Sequence, residues 1–219
     1  PFFVQNQRAA RRLLTTMSMI DGNLVVRQGG PPAVEALLTT RSTMYPTVYF
    51  HPFVRGAELM LARAANSAIL SNKFTSRDFT TFTDHKFLSE LDRAGGFPQK
   101  TVKDFENRRI VKSAVSITKK QAEDSGLNRS SKEEYENSIA AKLGLDASDI
   151  YVDLPPQSVV SGLKVKILKD NDEVVLARNL SRLVSGLYEA QFDHWRGRVY
   201  GPSGIEDKVL FEASKVLGL

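Results

Sequence analysis

Apolar residues at Phe50, Phe53, Val54, Ala57, Met60, Leu61, Ala64 and Ala68 recur at intervals of three and four, the period of an amphipathic helix. The stretch before them, PPAVEALLTTRSTMYPTVYF, opens on proline, which is preorganised for a first helical turn. It carries Val34, Leu37, Leu38, Met44 and Val48 as a predicted buried stripe. Pro46 and Pro52 fall between the two patterns. They predict a kink or a junction, because proline removes a backbone donor and crowds the preceding turn.

Upstream, QRAARRLLTTMSM places Leu13, Leu14 and Met17 at helical spacing. Asp21-Gly22 signals a turn, NLVV a short strand and Gly29-Gly30 a second turn. TSRDFTTFTDHKFLSELDRA predicts two short helices, the second capped by Thr83 or Asp84. RRIVKSAVSITK alternates towards a strand. After about Lys119 the character changes. SSKEEYENSIAAKLGL reads as a helix led by Ser130 or Ser131 with acidic residues in its first turn. IYVDLPP, LKVKIL and EVVLA read as strands, NLSRLVSGLYEAQF as a helix, WRGRVYGP as strand and turn, and IEDKVLFEASKVLGL as a final helix. The predicted fold is mainly α with an α+β C-terminal lobe: a helical lobe over 1–118 and an α+β lobe over 119–219.

Composition is that of an ordinary soluble domain, with 42% hydrophobic and 25% charged residues among 219. No apolar run approaches the roughly 20 residues of a membrane helix. There is no cysteine, so disulfides and thiolate metal ligands are excluded, which fits a reducing cytoplasm. A net charge of +5 points to anionic partners. It is concentrated early: Arg8, Arg11, Arg12 and Arg27 stand against Asp21 alone in the first thirty residues. A chain opening on proline is expected to be a fragment, a processed chain or the ordered part of a longer one.

His51, His85 and His194 are scattered, and the sequence holds no HExxH, phosphate-binding glycine loop or nucleophile elbow. Asp84-His85 reads as a helix cap beside an exposed histidine, and Trp195 with Tyr200 as core. Lys112 beside Arg108 and Arg109 reads as a solvated helix end or a phosphate site. The candidate chemistry is Arg41, Tyr45 and Tyr49. At i, i+4 and i+8 they share one helical face, spanning about 12 Å at 1.5 Å per residue. Arginine offers phosphate a fork of donors, and tyrosine offers a flat face and a hydroxyl.

RRLLTTMSMIDGNLVV, AVEALLTTRSTMYPTVYFHPFVRGAELML, DFTTFTDHKFLSEL, FENRRIVKSAV and ARNLSRLVSGLYEAQFDHWRGRVYGP follow one another along the chain. In this order they resemble the C-terminal portion of HD-domain phosphohydrolases related to the sterile-alpha-motif-linked deoxynucleotide triphosphohydrolase. The resemblance covers almost the whole chain. It implies that the intact protein hydrolyses deoxynucleoside triphosphates to nucleoside and triphosphate, using a divalent metal. It also implies a nucleoside triphosphate as substrate or effector, and a homo-oligomer. Arg41 matches the arginine on the substrate's terminal phosphate and Tyr49 a tyrosine packed beside the sugar, with Tyr45 on the same substrate-binding face. Arg12, His51 and Arg178 match regulatory nucleotide-binding positions. Two departures stand out. Pro52 replaces the family's lysine after the histidine, removing a cation from a regulatory phosphate site. The family's metal-binding histidines and aspartates lie ahead of the matched region, so no catalytic or metal residue falls in this chain. The alternative is a non-catalytic module of the same ancestry that binds nucleotides or single-stranded nucleic acid through Arg8, Arg11, Arg12, Arg27 and Arg41, or that serves assembly.

Overall fold

A computed structural model describes residues 2–156, 164–190 and 193–219. In chain order the elements are helix α1 (Phe2–Thr16), strands β1 (Met17–Ile20) and β2 (Asn23–Val26), helices α2 (Pro31–Met44) and α3 (Pro52–Leu70), then α4 (Asp84–Ala94) and α5 (Gly96–Glu106). They continue with strand β3 (Lys112–Thr118), helices α6 (Lys119–Asp124) and α7 (Lys132–Leu143), and strands β4 (Tyr151–Asp153), β5 (Lys166–Leu168) and β6 (Val174–Leu176). Helices α8 (Ala177–Leu180) and α9 (Arg182–Ala190), strand β7 (Arg196–Gly201) and helix α10 (Glu206–Leu217) complete the order. The predicted class holds: the chain is α-rich with an α+β part.

The chain forms two compact units, Pro1–Tyr49 with Pro155–Trp195, and Phe50–Leu154 with Arg196–Leu219. The units interleave along the chain, changing over after Tyr49, Leu154 and Trp195. In the first unit the strand order is β1-β2-β5-β6. Val25 and Val26 of β2 pair in parallel with Lys166 and Ile167 of β5, which draws the late segment into the early unit. Leu13, Val26, Ala33, Val34, Leu38, Ile167, Ala177 and Val184 form its core.

In the second unit β7 lies between β3 and β4, antiparallel to both. Helix α3 contributes the small residues Ala64, Ala65 and Ala68 to a core with Phe74, Leu91 and Val102. Met60, Ile110, Tyr151 and Tyr200 form a second cluster. Trp195, in the first unit, is also core, its indole donating to the Pro155 carbonyl at 3.0 Å.

Several expectations are corrected in detail. MSM does not extend the first helix. The Thr16 hydroxyl bonds back to the Arg12 carbonyl at 2.8 Å, and Met17–Ile20 pairs instead with β2. Asp21 and Gly22 both have positive φ, 47° and 73°, the signature of the two-residue hairpin turn that fits strand twist. Leu37, Met44 and Val48 are exposed, and the buried face of this segment is Ala33, Val34, Leu38 and Tyr45. Helix α5 was not legible beforehand, because Gly-Gly-Phe-Pro reads as a turn. The helix predicted over 179–192 breaks at Ser181 into α8 and α9, and residues 191 and 192 lie outside the described residues, as does Leu163 of the predicted LKVKIL strand. Thr83 caps α4 as expected, accepting from the Lys86 amide.

Gly30, the N-cap of α2, has no room for a side chain: a Cβ there would overlap Val26 Cγ1 and lie 2.7 Å from the Thr16 hydroxyl. Gly30→Ala is expected to lower stability by about 1–3 kcal/mol, the usual cost of overpacking. Chemical denaturation at unchanged m-value checks it.

Candidate functional site

Helix α2 does not end at Pro46. It widens into a π-helical turn over Tyr45–Tyr49, since Pro46 has no amide to give and the backbone register expands around the gap. The break falls later, at His51, whose extended backbone (ψ 128°) follows from the Pro52 behind it. Pro52 then opens α3.

The wide turn keeps the three predicted residues together. Arg41 Nη2 donates to the Tyr45 hydroxyl at 3.1 Å, with the guanidinium 5.8 Å from the centre of the Tyr45 ring. The Tyr45 and Tyr49 rings lie 5.2 Å apart, inclined by 53°. Tyr45 is buried while Tyr49 is 44% exposed. The arrangement is a cation steered by a phenol at one end and an open aromatic edge at the other.

The other predicted positions are separate. Arg12 is exposed and its Nε donates to the Gly29 carbonyl at 2.7 Å. Arg178 is exposed and lies 5.4 Å from the centre of the Tyr188 ring. His51 is exposed, makes no side-chain cap bond, and belongs to the second unit. Each of these has its own local setting rather than a common one.

The second unit holds a feature that sequence reasoning left undecided. A cavity of about 420 Å³ is lined by Met60, Phe97, Lys100, Asp104, Arg108, Arg109, Ile110, Lys112, Asp149, Tyr151 and Ser203, among others. Two of its cations are paired, Arg109 with Asp104 at 2.9 Å and Lys100 with Asp149 at 3.8 Å. Arg108 and Lys112 have no acidic partner among the described residues. Arg108 is also held at a positive φ of 55°, where α5 turns into β3. The volume lies in the range of small-molecule pockets, and its charge favours an anion. Only the Arg108-Arg109-Lys112 cluster was visible in sequence; Lys100, Asp149 and Ser203 reach it from other elements.

One wall of that cavity is built by buried ionic bonds. Arg63 of α3 donates to the carbonyls of Ala147, Ser148 and Ile150 at 3.1, 3.0 and 2.8 Å. Its guanidinium lies 3.8 Å from the centre of the Tyr151 ring. Its Nη2 pairs at 2.6 Å with Glu136, whose other oxygen accepts from the Val152 amide at 2.8 Å. Burial pushes the phenols of Tyr151 and Tyr200 up to about 12. In the unfolded chain these protons leave near 10, so above that pH the unfolded state binds fewer protons and stability falls as pH rises from 10 to 12. Tyrosinate absorbance recorded alongside denaturation should show two of the six tyrosines ionising late.

Among the described residues, no group of three or more His, Cys, Asp or Glu side chains could hold a metal ion, and no helix is long and apolar enough to cross a membrane.

Residues 9–219 match the family model described as the HD associated region. The uncharacterised protein MJ1154 of Methanocaldococcus jannaschii is 24% identical over 203 residues, covering 89% of this chain and 43% of the relative. The uncharacterised protein YwfO of Bacillus subtilis is 37% identical over 57 residues, 26% of this chain and 13% of the relative. Among solved structures, a hypothetical protein from Aquifex aeolicus shares the fold with a TM-score of 0.64 at 21% identity, over 95% of this chain and 55% of its own. A phosphohydrolase from Bacteroides thetaiotaomicron does so with 0.57 at 16%, over 88% of this chain and 55% of its own. The chain thus spans 43% of the full-chain relative and 55% of each of these structures.

Proposed function

Given that the chain belongs to the HD-associated region family, we propose that it is the C-terminal part of an HD-type phosphohydrolase whose intact form hydrolyses deoxynucleoside triphosphates to nucleoside and triphosphate. The observation that carries the substrate class is the Arg41, Tyr45 and Tyr49 arrangement: a guanidinium fixed on a phenol, beside a half-open ring. Arg41 holds the terminal phosphate and so fixes the triphosphate while water attacks the α-phosphorus; the bond to the nucleoside 5′ oxygen breaks, and that oxygen leaves with a proton as the nucleoside hydroxyl. Tyr45 fixes the direction of the guanidinium, and Tyr49 packs beside the sugar. Hydrolases of this type generally depend on a divalent metal. The residues described here do not fit one, so its ligands come from outside this chain. The experiment is a metal-dependent hydrolysis assay on the full-length protein, with release of inorganic triphosphate as the readout.

The cationic cavity of the second unit is a place for the phosphates of a regulatory nucleotide; Arg12, His51 and Arg178 stand as regulatory nucleotide-binding positions in their own right. Its two unpaired cations favour this reading. Arg108→Ala with Lys112→Ala is expected to raise the effector concentration for half-activation at least about fivefold, within the usual range of allosteric coupling. The rate at saturating effector stays near that of the wild type. An activation curve over effector concentration checks this.

A second reading, nucleic-acid binding, rests on the exposed arginines of the first unit. Among the described residues, Arg12 and Arg27 bond to neutral groups, the Gly29 carbonyl and the Ser18 hydroxyl, and have no acidic partner. Oligonucleotide affinity would then fall steeply with salt; absence of binding at low salt removes this reading.

A further inference from the structure

Within the second unit, a buried carboxylate is bonded by a partly exposed arginine while a buried arginine stands opposite it on the neighbouring strand. Asp153 is 5% exposed and Arg198 9% exposed. They are direct partners across the β4–β7 pair, which puts their side chains on the same face of the sheet. Yet Asp153 is taken by a different arginine. Arg55 Nε donates to one of its oxygens at 2.9 Å and Nη2 to the other at 2.7 Å, while Arg55 Nη1 pairs with Glu58 at 2.6 Å. This leaves Arg198 Nη1 buried without a partner, together with the hydroxyl of Tyr200. A buried charged donor left unpaired costs more than a neutral one, and native folds rarely tolerate it without a reason.

The two arginines differ in what they lose when unpaired. The Arg55 side chain is 24% exposed and keeps Glu58, itself 52% exposed. Released from Asp153, it would meet water. Arg198 has no such outlet. The present pairing therefore satisfies the arginine that needs Asp153 less. Arg198 and Arg55 act on the Tyr200 phenol by charge, Arg198 also by close polar contact, and Asp153 opposes them.

We propose that Asp153 is the shared acceptor of an arginine exchange: Arg55 holds it in this structure, Arg198 is its alternative partner across the strand pair, and the exchange frees the Arg55 fork near the start of α3 for a phosphate-like oxyanion. The exchange keeps one guanidinium–carboxylate pair intact throughout. It moves the unpaired cation from the interior to the solvent side, so an oxyanion has only a small difference to overcome.

A double-mutant cycle on the full-length protein tests the redundancy. Arg55→Met and Arg198→Met are each expected to lower Tm by a few degrees at most, about 2–5 °C, because the remaining arginine serves Asp153. The double variant strands the carboxylate and should lose clearly more than the sum, with Asp153→Asn restoring most of it. Arg55→Met alone losing as much as the double variant would show that Arg198 cannot take over, and overturns the exchange. The trigger is read separately by nitrogen-edited spectra of the two Nε–H groups during titration with inorganic phosphate. The expected result is a shifted, faster-exchanging Arg55 signal with a newly protected Arg198 signal. An Arg198 signal unmoved at saturating phosphate overturns the oxyanion-driven step.

Discussion

Arg41→Ala is expected to reduce kcat/KM of the full-length protein on deoxynucleoside triphosphates by about 10²–10³-fold, the range for removing one preorganised donor from developing charge. The fold should not suffer. Arg41 is exposed, and among the described residues its hydrogen bond goes to a neutral phenol, so Tm should stay within about 2 °C of the wild type. Arg41→Lys should recover little, because a point charge cannot reproduce a fork that is already aimed by Tyr45. Tyr45→Phe isolates that aiming role. It leaves the cation in place and removes its 3.1 Å anchor, so a smaller loss, about tenfold, should appear. Steady-state kinetics of the three variants check the ordering. An Arg41→Ala enzyme within twofold of the wild type would remove Arg41 from the substrate site.

The largest stability effect is expected at Glu136. This carboxylate is 6% exposed. It accepts from the Val152 amide and pairs with Arg63, whose Nη1 donates to the carbonyls of Ala147, Ser148 and Ile150. Glu136→Ala leaves the partly buried guanidinium without its carboxylate and the Val152 amide without its acceptor. Breaking a buried pair from one side costs about 3–5 kcal/mol, a fall in Tm on the order of 10 °C for a chain of this size. Glu136→Gln keeps an acceptor for the amide and should lose distinctly less. Calorimetry on both variants separates the charge from the hydrogen bond. Because Arg63 also stacks on Tyr151, which lines the cavity, Glu136→Ala should weaken effector response as well as stability.

Much of the fold was legible where the cause is local. Pro31 and Pro52 start helices, Asp21-Gly22 makes its hairpin turn, and Thr83 caps α4, each through the chemistry of one or two residues. The Arg41, Tyr45 and Tyr49 face was legible for the same reason, although the turn that carries it is π rather than α. Misreadings occurred where partners are distant. MSM fits a helical period, and only its pairing with β2 makes it a strand. Leu37 and Val48 look like core until the face chosen by Leu38 and Val34 is known. The parallel pairing of β2 with β5 across some 140 residues has no local signal, so the division at 118 could not anticipate interleaved units. The cavity was half visible: the cluster at Arg108 lies within five residues, while Asp149 and Ser203 arrive from elsewhere.

The central claim is that the intact protein cleaves a deoxynucleoside triphosphate between its nucleoside and its first phosphate. Phosphorus NMR of the products formed by the full-length protein with a divalent metal tests it most directly. Inorganic triphosphate appearing in step with free deoxynucleoside is the predicted result. Orthophosphate or pyrophosphate as the first product, or unchanged substrate across the deoxynucleotides and divalent metals, would contradict it.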